Sequence, residues 1–159
     1  MFTFLGNPIH LEGSQLEKGM KMPEFHSVKA DLSEFNSADI KGKKIILSVP
    51  SVDTPVCSME LSKFMNKLKE RKDVTCISVS MDLPFALDRW CQANSNDKVI
   101  TTSDYRDREF ARLTGTRIKE NGLLTRAVFV VDENDEIIHV EYVPEVSHEP
   151  NYENVLSQI

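Results

Sequence analysis

The chain has 159 residues, of which 40% are hydrophobic and 28% charged, and its formal net charge is −6. This size and composition suit one globular domain with its own core, so residues 1–159 are interpreted as a single domain. The acidic balance argues against nucleic acid as a partner, because phosphates attract clustered Lys and Arg. No stretch approaches the roughly 20 apolar residues that span a bilayer, so no membrane segment is expected.

The predicted elements begin with a small hairpin around Gly6-Asn7-Pro8. Further along, short runs rich in β-branched residues alternate with segments whose apolar residues recur at helical spacing. The predicted strands cover residues 43–49, 74–79, 98–101, 125–131 and 136–143, and the predicted helices cover 58–68, 84–90, 106–113 and the tail from 151. The last two strands form a second hairpin. This order predicts an α/β fold with a mixed central sheet flanked by helices on both faces.

The three cysteines, at positions 57, 76 and 91, are few and widely spaced. The N-terminal residues lack the features of a secretory signal, so a cytoplasmic location is expected, where thiols are normally kept reduced. An odd number of distant cysteines suits neither a disulfide scaffold nor a zinc site, since zinc usually takes closely spaced pairs. At least one of these cysteines is therefore a candidate for chemistry.

Cys57 lies where a predicted strand passes to a predicted helix. Thr54 is a good N-cap residue, and Pro55 suits the first helical position, where its missing N–H would be unpaired in any case. Cys57 then falls in the first helical turn, close to backbone N–H groups that have no partner within the helix. The sequence therefore predicts that the Cys57 sulfur lies at the positive end of a helix.

A helix end alone does not make a thiol reactive at neutral pH. A free cysteine with a pKa near 8.5 is only about 3% thiolate at pH 7. Making it mostly thiolate takes roughly 3 kcal/mol, whereas a helix N-terminus typically contributes about 0.3–1 kcal/mol. A cationic partner for Cys57 is therefore predicted, and an arginine is expected because it keeps its charge.

The spacing Pro50-x-x-x-Thr54-x-x-Cys57 matches the peroxiredoxin signature. Other blocks match in chain order from near the N-terminus to the final hairpin: Gly6-Asn7-Pro8, Ser51-Val52-Asp53-Thr54, residues 82–86 with Arg89-Trp90-Cys91, and residues 126–132. On these residues the sequence resembles the thiol peroxidase subfamily of atypical two-cysteine peroxiredoxins over nearly its whole length. The resemblance implies a thioredoxin-like fold with an added N-terminal β-hairpin.

The resemblance also implies roles for four residues. Cys57 would be the peroxidatic cysteine, Thr54 its hydroxyl partner, Arg126 the guanidinium that holds the thiolate and polarises the peroxide, and Cys91 the resolving cysteine. Hydrogen peroxide and organic hydroperoxides would be reduced through a Cys57 sulfenic acid and a Cys57–Cys91 disulfide. Thioredoxin would be the reductant, and the protein would be a homodimer. The loop between Gly115 and Arg126 is shorter than in many members, so the outer pocket wall does not follow from the resemblance.

No cofactor and no metal are expected, because the sequence has no Gly-rich phosphate loop, dinucleotide fingerprint or clustered metal ligands. Cys76, in the middle of a predicted strand, is interpreted as a buried and inert thiol.

Three other functions share parts of this chemistry. A Cys/His hydrolase would need a histidine beside the nucleophile, and none of the four histidines lies in a recognisable motif. A thiol-disulfide oxidoreductase would usually carry C-x-x-C, which is absent. A peroxide-sensing switch with little turnover stays open as the alternative, because it shares the first oxidation step.

Overall fold

The computed structural model describes residues 1–159. Its strands are β1 (Phe2–Phe4), β2 (Asn7–Ile9), β3 (Leu11–Glu12), β4 (His26–Lys29), β5 (Glu34–Asn36), β6 (Lys43–Ser48), β7 (Val74–Ser80), β8 (Val99–Ser103), β9 (Arg117–Ile118), β10 (Ala127–Val131) and β11 (Ile137–Tyr142). Its α-helices are α1 (Pro55–Lys67), α2 (Pro84–Ala93), α3 (Glu109–Thr114) and α4 (Tyr152–Leu156). None of the helices is long and apolar enough to cross a membrane.

Seven strands form the central sheet, in the order β11-β10-β6-β7-β8-β4-β5. β6, β7 and β8 run parallel, whereas the pairs β10–β6, β10–β11, β4–β8 and β4–β5 are antiparallel. The predicted mixed sheet is therefore confirmed. The predicted N-terminal hairpin is also confirmed: β1 and β2 pair with each other as a separate two-stranded sheet, and β3 pairs with β9 as another.

The core fills both faces of the central sheet, because alternate residues of a strand point to opposite sides. On one face, residues such as Ile45 and Val128 pack against α1, α2 and α4. On the other face, Ile46 and Phe129 pack against α3 and Phe25. Cys57 belongs to the first of these two clusters, which is therefore the face that carries the candidate chemistry.

Several predicted element boundaries need correction, and the first hairpin turns at Leu5-Gly6, so that Asn7 and Pro8 belong to β2. β10 begins at Ala127, so Thr125 and Arg126 precede it; α2 runs on to Ala93; and β8 starts after Lys98 and extends to Ser103. The helix predicted over 106–113 begins only at Glu109. Its late start has a physical cause, since the Asp104 carboxylate accepts hydrogen bonds from the Phe110 and Ala111 N–H groups. Strands β3, β4, β5 and β9 were not predicted.

Candidate active site

The turn between β6 and α1 holds Cys57 in the predicted position. Thr54 is the N-cap of α1, with Pro55 as the first helical residue. The Thr54 hydroxyl accepts a hydrogen bond from the Cys57 N–H (3.2 Å) and donates one to the Ser51 carbonyl (3.0 Å). The Cys57 side chain is fully buried in the apolar cluster below the turn. Thr54 therefore fixes both the helix start and the backbone of the nucleophile candidate.

The same turn is fastened to the sheet by Asp82, which follows β7. Its carboxylate accepts hydrogen bonds from the Ser51 hydroxyl (2.6 Å), the Val52 N–H (2.9 Å) and the Ser80 hydroxyl (2.8 Å). Asp82 belongs to one of the matched sequence blocks, but no local pattern predicted that it lies beneath this turn. It acts through the backbone that precedes Cys57.

Arg126 reaches Cys57 because of the register of the sheet. In the antiparallel β10–β6 pair, Ala127 lies opposite Ser48, so Arg126 lies where the chain leaves β6 for the Cys57 turn. Arg126 precedes Val128 by two residues and therefore faces the same side of the sheet, the side covered by α1. Its Nη2 donates a hydrogen bond to the Cys57 Sγ at 3.2 Å.

The guanidinium of Arg126 is almost fully buried, at 2% exposure, and each of its nitrogens has a partner. Besides Cys57, Nη1 donates to Glu60 Oε2 (2.6 Å) and Nε donates to the Val146 carbonyl (2.8 Å). Desolvation disfavours the charge, but Cys57 and Glu60 outweigh it and raise the pKa of Arg126. A buried, oriented cation of this kind stabilises negative charge on the sulfur it contacts more strongly than a solvated one.

Glu60 is a member of this site that the sequence analysis missed. It lies three residues after Cys57, on the same buried side of α1, and is 0% exposed. Burial raises the pKa of Glu60 to about 7, although Arg126 opposes the shift, and Oε1 is buried without a hydrogen-bond partner. A charged residue inside the apolar stripe of a helix was the available signal, since such a group normally needs a partner.

The first turn of α1 has fewer backbone N–H groups without an acceptor than the sequence analysis predicted. Pro55 has no N–H, and the Cys57 N–H is bonded to Thr54. The Val56 N–H has no intramolecular acceptor. Of the two N–H groups at Val56 and Cys57, only that of Val56 is therefore free to bind a ligand.

Cys91 lies on α2, in its C-terminal half, and is half-buried. Its Sγ is within hydrogen-bond distance of Thr101 Oγ1 (3.3 Å) and Asn96 Nδ2 (3.2 Å). All three cysteines are free thiols. The structure thus brings Thr54, Cys57 and Arg126 into direct contact, whereas Cys91 has its own separate partners.

Two side-chain contacts join α2 to the Cys57 turn and the first part of α1. The indole N–H of Trp90 donates to the Ser58 hydroxyl of α1 (2.9 Å), and Arg89 forms a salt bridge with Asp53, in the turn before α1. Trp90 and Arg89 directly precede Cys91, so α2 is attached beside both cysteines.

A pocket of about 230 Å³ lies over the Cys57 turn. Its lining combines the first turn of α1, the sheet and the N-terminal hairpin: Phe4, Leu5, Pro50, Thr54, Pro55, Val56, Arg126 and Ser147. Thr54 and Arg126 both bond to Cys57 and both line the pocket, so the pocket lies next to the sulfur, which is itself fully buried. The loop between Gly115 and Arg126 takes no part in the lining; the hairpin forms the outer wall instead.

Comparisons with known proteins agree with this geometry. The redoxin family model matches residues 17–156. The thiol peroxidase of Oceanobacillus iheyensis is 47% identical over 158 residues, covering 99% of this chain and 96% of its own; that of Bacillus subtilis is 45% identical, covering 95% and 91%. A peroxiredoxin-like crystal structure from Aquifex aeolicus has a TM-score of 0.92 at 36% identity, covering 99% of this chain and 94% of its own. This chain belongs to the thiol peroxidases of the redoxin family.

In this thiol peroxidase, Cys76 and the histidines lie outside the site. Cys76 is fully buried in the middle of β7. His10 and His26 pair with Glu120 and Glu109, and no histidine bonds to Cys57. His139 is half-buried on β11 with its Nε2 enclosed. No group of three or more His, Cys, Asp or Glu side chains is arranged to hold a metal ion.

Proposed function

We propose that this thiol peroxidase reduces hydrogen peroxide and organic hydroperoxides with Cys57 as the attacking thiolate. The observation that carries the proposal is the 3.2 Å contact between Arg126 Nη2 and the buried Cys57 Sγ. A thiolate is the nucleophilic form of cysteine, and a fixed guanidinium favours it over the thiol.

In the first step, the Cys57 thiolate attacks the terminal oxygen of the hydroperoxide. The S–O bond forms as the O–O bond breaks, the sulfur is oxidised to a sulfenic acid, and the departing oxygen takes a proton to leave as water or an alcohol. Negative charge moves from sulfur to the departing oxygen. Arg126 and the Val56 N–H are polar groups that can stabilise that movement, whereas the Thr54 hydroxyl must first release the Ser51 carbonyl before it can donate to the departing oxygen.

In the second step, the Cys91 thiol condenses with the Cys57 sulfenic acid, which forms a disulfide and releases water. Thioredoxin, a dithiol, then reduces the disulfide by exchange. A disulfide requires Cα atoms about 5.5 Å apart. We infer that the first turn of α1 and residues 89–96 rearrange for this step, which requires the Trp90–Ser58 and Cys91–Thr101 contacts to open. Identical backbones there in crystals of the reduced and disulfide forms would contradict the inference.

The protein is proposed to act as a cytoplasmic homodimer. Leu83 and Phe85, at the start of α2, are 54% and 67% exposed and closely follow Asp82, whose carboxylate bonds to the turn before Cys57. Large exposed apolar residues of this kind are typical of an interface between subunits. Sedimentation of the wild type and of Phe85→Ser tests this part: a dimer that the substitution weakens supports it, and a monomeric wild type refutes it.

The sulfur that is oxidised first decides the mechanism. The protein is exposed to one equivalent of peroxide with a sulfenic-acid trap, and the labelled cysteine is identified by mass spectrometry. The label is expected on Cys57, and in Cys91→Ser it accumulates because no thiol resolves it. Cys76→Ala is the matched control and labels as the wild type does. Modification of Cys76 or Cys91 before Cys57 would refute the proposal.

Turnover separates the enzyme from a peroxide-sensing switch. Peroxide loss is followed with excess thioredoxin, thioredoxin reductase and NADPH. We expect many equivalents to be consumed by the wild type, and one fast equivalent followed by a stall for Cys91→Ser. Consumption of a single equivalent by the wild type would favour the switch.

A further inference from the structure

The outer wall of the pocket is made by a part of the chain that does not belong to the central sheet. Phe4 and Leu5, at the tip of the β1–β2 hairpin, line the pocket. The hairpin is held through Thr3, whose N–H donates to the Pro144 carbonyl and whose carbonyl accepts from the Val146 N–H, both at 2.9 Å. The position of the wall therefore depends on how the hairpin is attached to the segment that follows β11.

One carboxylate, that of Glu145, gathers five donors at this junction. Oε1 accepts hydrogen bonds from the Thr3 hydroxyl (3.0 Å) and the Gly6 N–H (2.8 Å). Oε2 accepts from the Leu5 N–H (3.2 Å) and from the N–H (2.8 Å) and hydroxyl (2.5 Å) of Ser147. Desolvation opposes ionisation, but these hydrogen bonds outweigh it and lower the pKa of Glu145 to about 2. The carboxylate is therefore charged throughout the neutral range.

The conformation of the hairpin tip requires such an attachment. Leu5 has a φ of 51°, in the left-handed region that residues with a Cβ rarely adopt. A strained residue of this kind persists only where its surroundings hold it. The Leu5 and Gly6 N–H groups, which both donate to Glu145, are the groups that this turn exposes.

The segment around Glu145 also touches the catalytic cation. The Val146 carbonyl accepts the hydrogen bond from Arg126 Nε (2.8 Å), and Ser147 lines the pocket. Residues 145–147 thus contact the hairpin tip on one side and the guanidinium on the other. These three residues therefore connect the apolar wall to the reacting atoms and determine the distance between them.

We propose that Glu145 is a specificity-determining positioning residue, which holds Leu5 over the pocket and so favours bulky organic hydroperoxides over hydrogen peroxide. The inference rests on the proposed peroxidase function and deepens it. An alkyl or aryl group gains free energy from contact with an apolar wall, whereas hydrogen peroxide has no such group to bury. Glu145 does not touch the peroxide; it acts through Leu5.

The test compares two peroxides on Glu145→Gln, which keeps the size of the side chain but loses the charge and turns one acceptor into a donor. Rate constants for oxidation of Cys57 are measured by rapid quench and mass spectrometry with cumene hydroperoxide and with hydrogen peroxide, so that no reductant is needed. The ratio of the two rate constants is expected to fall about 10-fold. Leu5→Ala is expected to lower the ratio similarly, and the double variant to lower it little further.

Glu120→Gln is the matched control. Glu120 also binds the N-terminal segment, through the N–H (2.8 Å) and ring Nδ1 (2.7 Å) of His10, and its pKa is likewise lowered to about 2. It lies outside the pocket lining, so this variant keeps the wild-type ratio. Equal falls in both variants would overturn the inference, since they would reflect general loosening of the N-terminus.

Hydrogen exchange links the kinetics to the structure. The Leu5 and Gly6 amides are expected to lose protection in Glu145→Gln and to keep it in Glu120→Gln. An unchanged peroxide ratio in a folded Glu145→Gln protein overturns the inference while the peroxidase proposal stands. A wild-type protein whose Cys57 reacts with neither peroxide overturns the proposed function itself.

Discussion

Cys57 and Cys76 are both fully buried, and both belong to the same apolar cluster, yet their surroundings differ in charge. Cys76 lies in the middle of β7, between Ile45 of β6 and Val99 of β8. Burial raises the pKa of its thiol, and the Glu60 carboxylate raises it further. Cys57 instead begins a helix and accepts a hydrogen bond from Arg126.

The two thiols share their degree of burial and differ in the charge beside them, so burial by itself does not determine which form of a thiol is favoured. In an apolar strand, desolvation favours the neutral form and leaves the sulfur inert. At the start of a helix, the same degree of burial strengthens the attraction between sulfur and a guanidinium, because water no longer screens it. The four predictions below test this contrast, beginning with the largest expected effect.

Cys57→Ser is expected to abolish peroxide consumption, leaving only the uncatalysed rate, because a serine hydroxyl is neither anionic at neutral pH nor oxidised by peroxide. The measurement is peroxide loss in the coupled thioredoxin assay, with Cys76→Ser as the control. Sustained turnover in Cys57→Ser would contradict the assignment of the nucleophile.

Arg126→Gln is expected to slow oxidation of Cys57 about 10²–10³-fold, since it removes a fixed donor from the reacting atoms. Arg71→Gln, which breaks an exposed salt bridge with Asp73, serves as the control and keeps the wild-type rate. Arg126→Gln also leaves Glu60 buried without its cation, which lowers the free energy of unfolding.

The double variant Arg126→Gln with Glu60→Gln separates the two effects of the arginine. It is expected to regain stability while its oxidation rate stays low, because the buried charge is gone but the donor to sulfur is not restored. Recovery of the rate together with stability would mean that Arg126 acts only through folding.

Glu60→Gln is expected to change how stability depends on pH. The pKa of Glu60 rises from 4.5 to about 7 on folding, so the folded protein binds more protons than the unfolded chain between these values. Its contribution to stability is therefore present below pH 4.5 and falls by about 3 kcal/mol as the pH rises through 7. The free energy of unfolding, measured in urea at pH 5 and pH 8, should show a smaller loss in the variant.

Asp73→Asn is the control for this measurement. The hydrogen bonds from Arg71 lower the pKa of Asp73 to about 2, so its stabilising contribution is lost only as the pH falls below 3.8 and is constant between pH 5 and pH 8. An unchanged pH slope in Glu60→Gln would show that Glu60 is ionised throughout this range in the folded protein.

Cys76→Ala is expected to cost only about 1 kcal/mol of stability, through the lost sulfur contacts in the core, and to leave the peroxidase rate within about two-fold. Urea unfolding and the coupled assay measure the two quantities. If activity fell by more than the loss of stability explains, Cys76 would have a part in the chemistry.

Features that depend on neighbouring residues could be read from the sequence. Thr54 as N-cap and Pro55 as first helical residue follow from local capping rules, and the structure has both. The alternation of the strands and the apolar spacing of α1 are also local, and they predicted the mixed sheet correctly.

Features that depend on distant pairing could not be read in this way. The helix-end pattern predicted a cation near Cys57, but only the family resemblance identified it as Arg126. The antiparallel register of β10 and β6 is what brings Arg126 close to Cys57. β4 and its chain neighbour β5 were missed because they have only four and three residues, and their place in the sheet depends on the distant β8. Glu60 was missed because a single charge on an amphipathic helix is usually solvated, and only the folded structure puts Arg126 beside it.

The β1–β2 hairpin has a consequence for how such an enzyme can diversify. It pairs with none of the seven central strands, and it reaches the pocket only through its tip. Changes at Leu5 can therefore alter which peroxides fit without repacking the core or moving the Cys57 turn, whereas Phe4 also packs against the buried cluster of Ile9, Ile118 and Val146. Reactivity and selectivity thus depend on separate stretches of the chain. Selection or engineering can therefore adjust selectivity while reactivity is preserved.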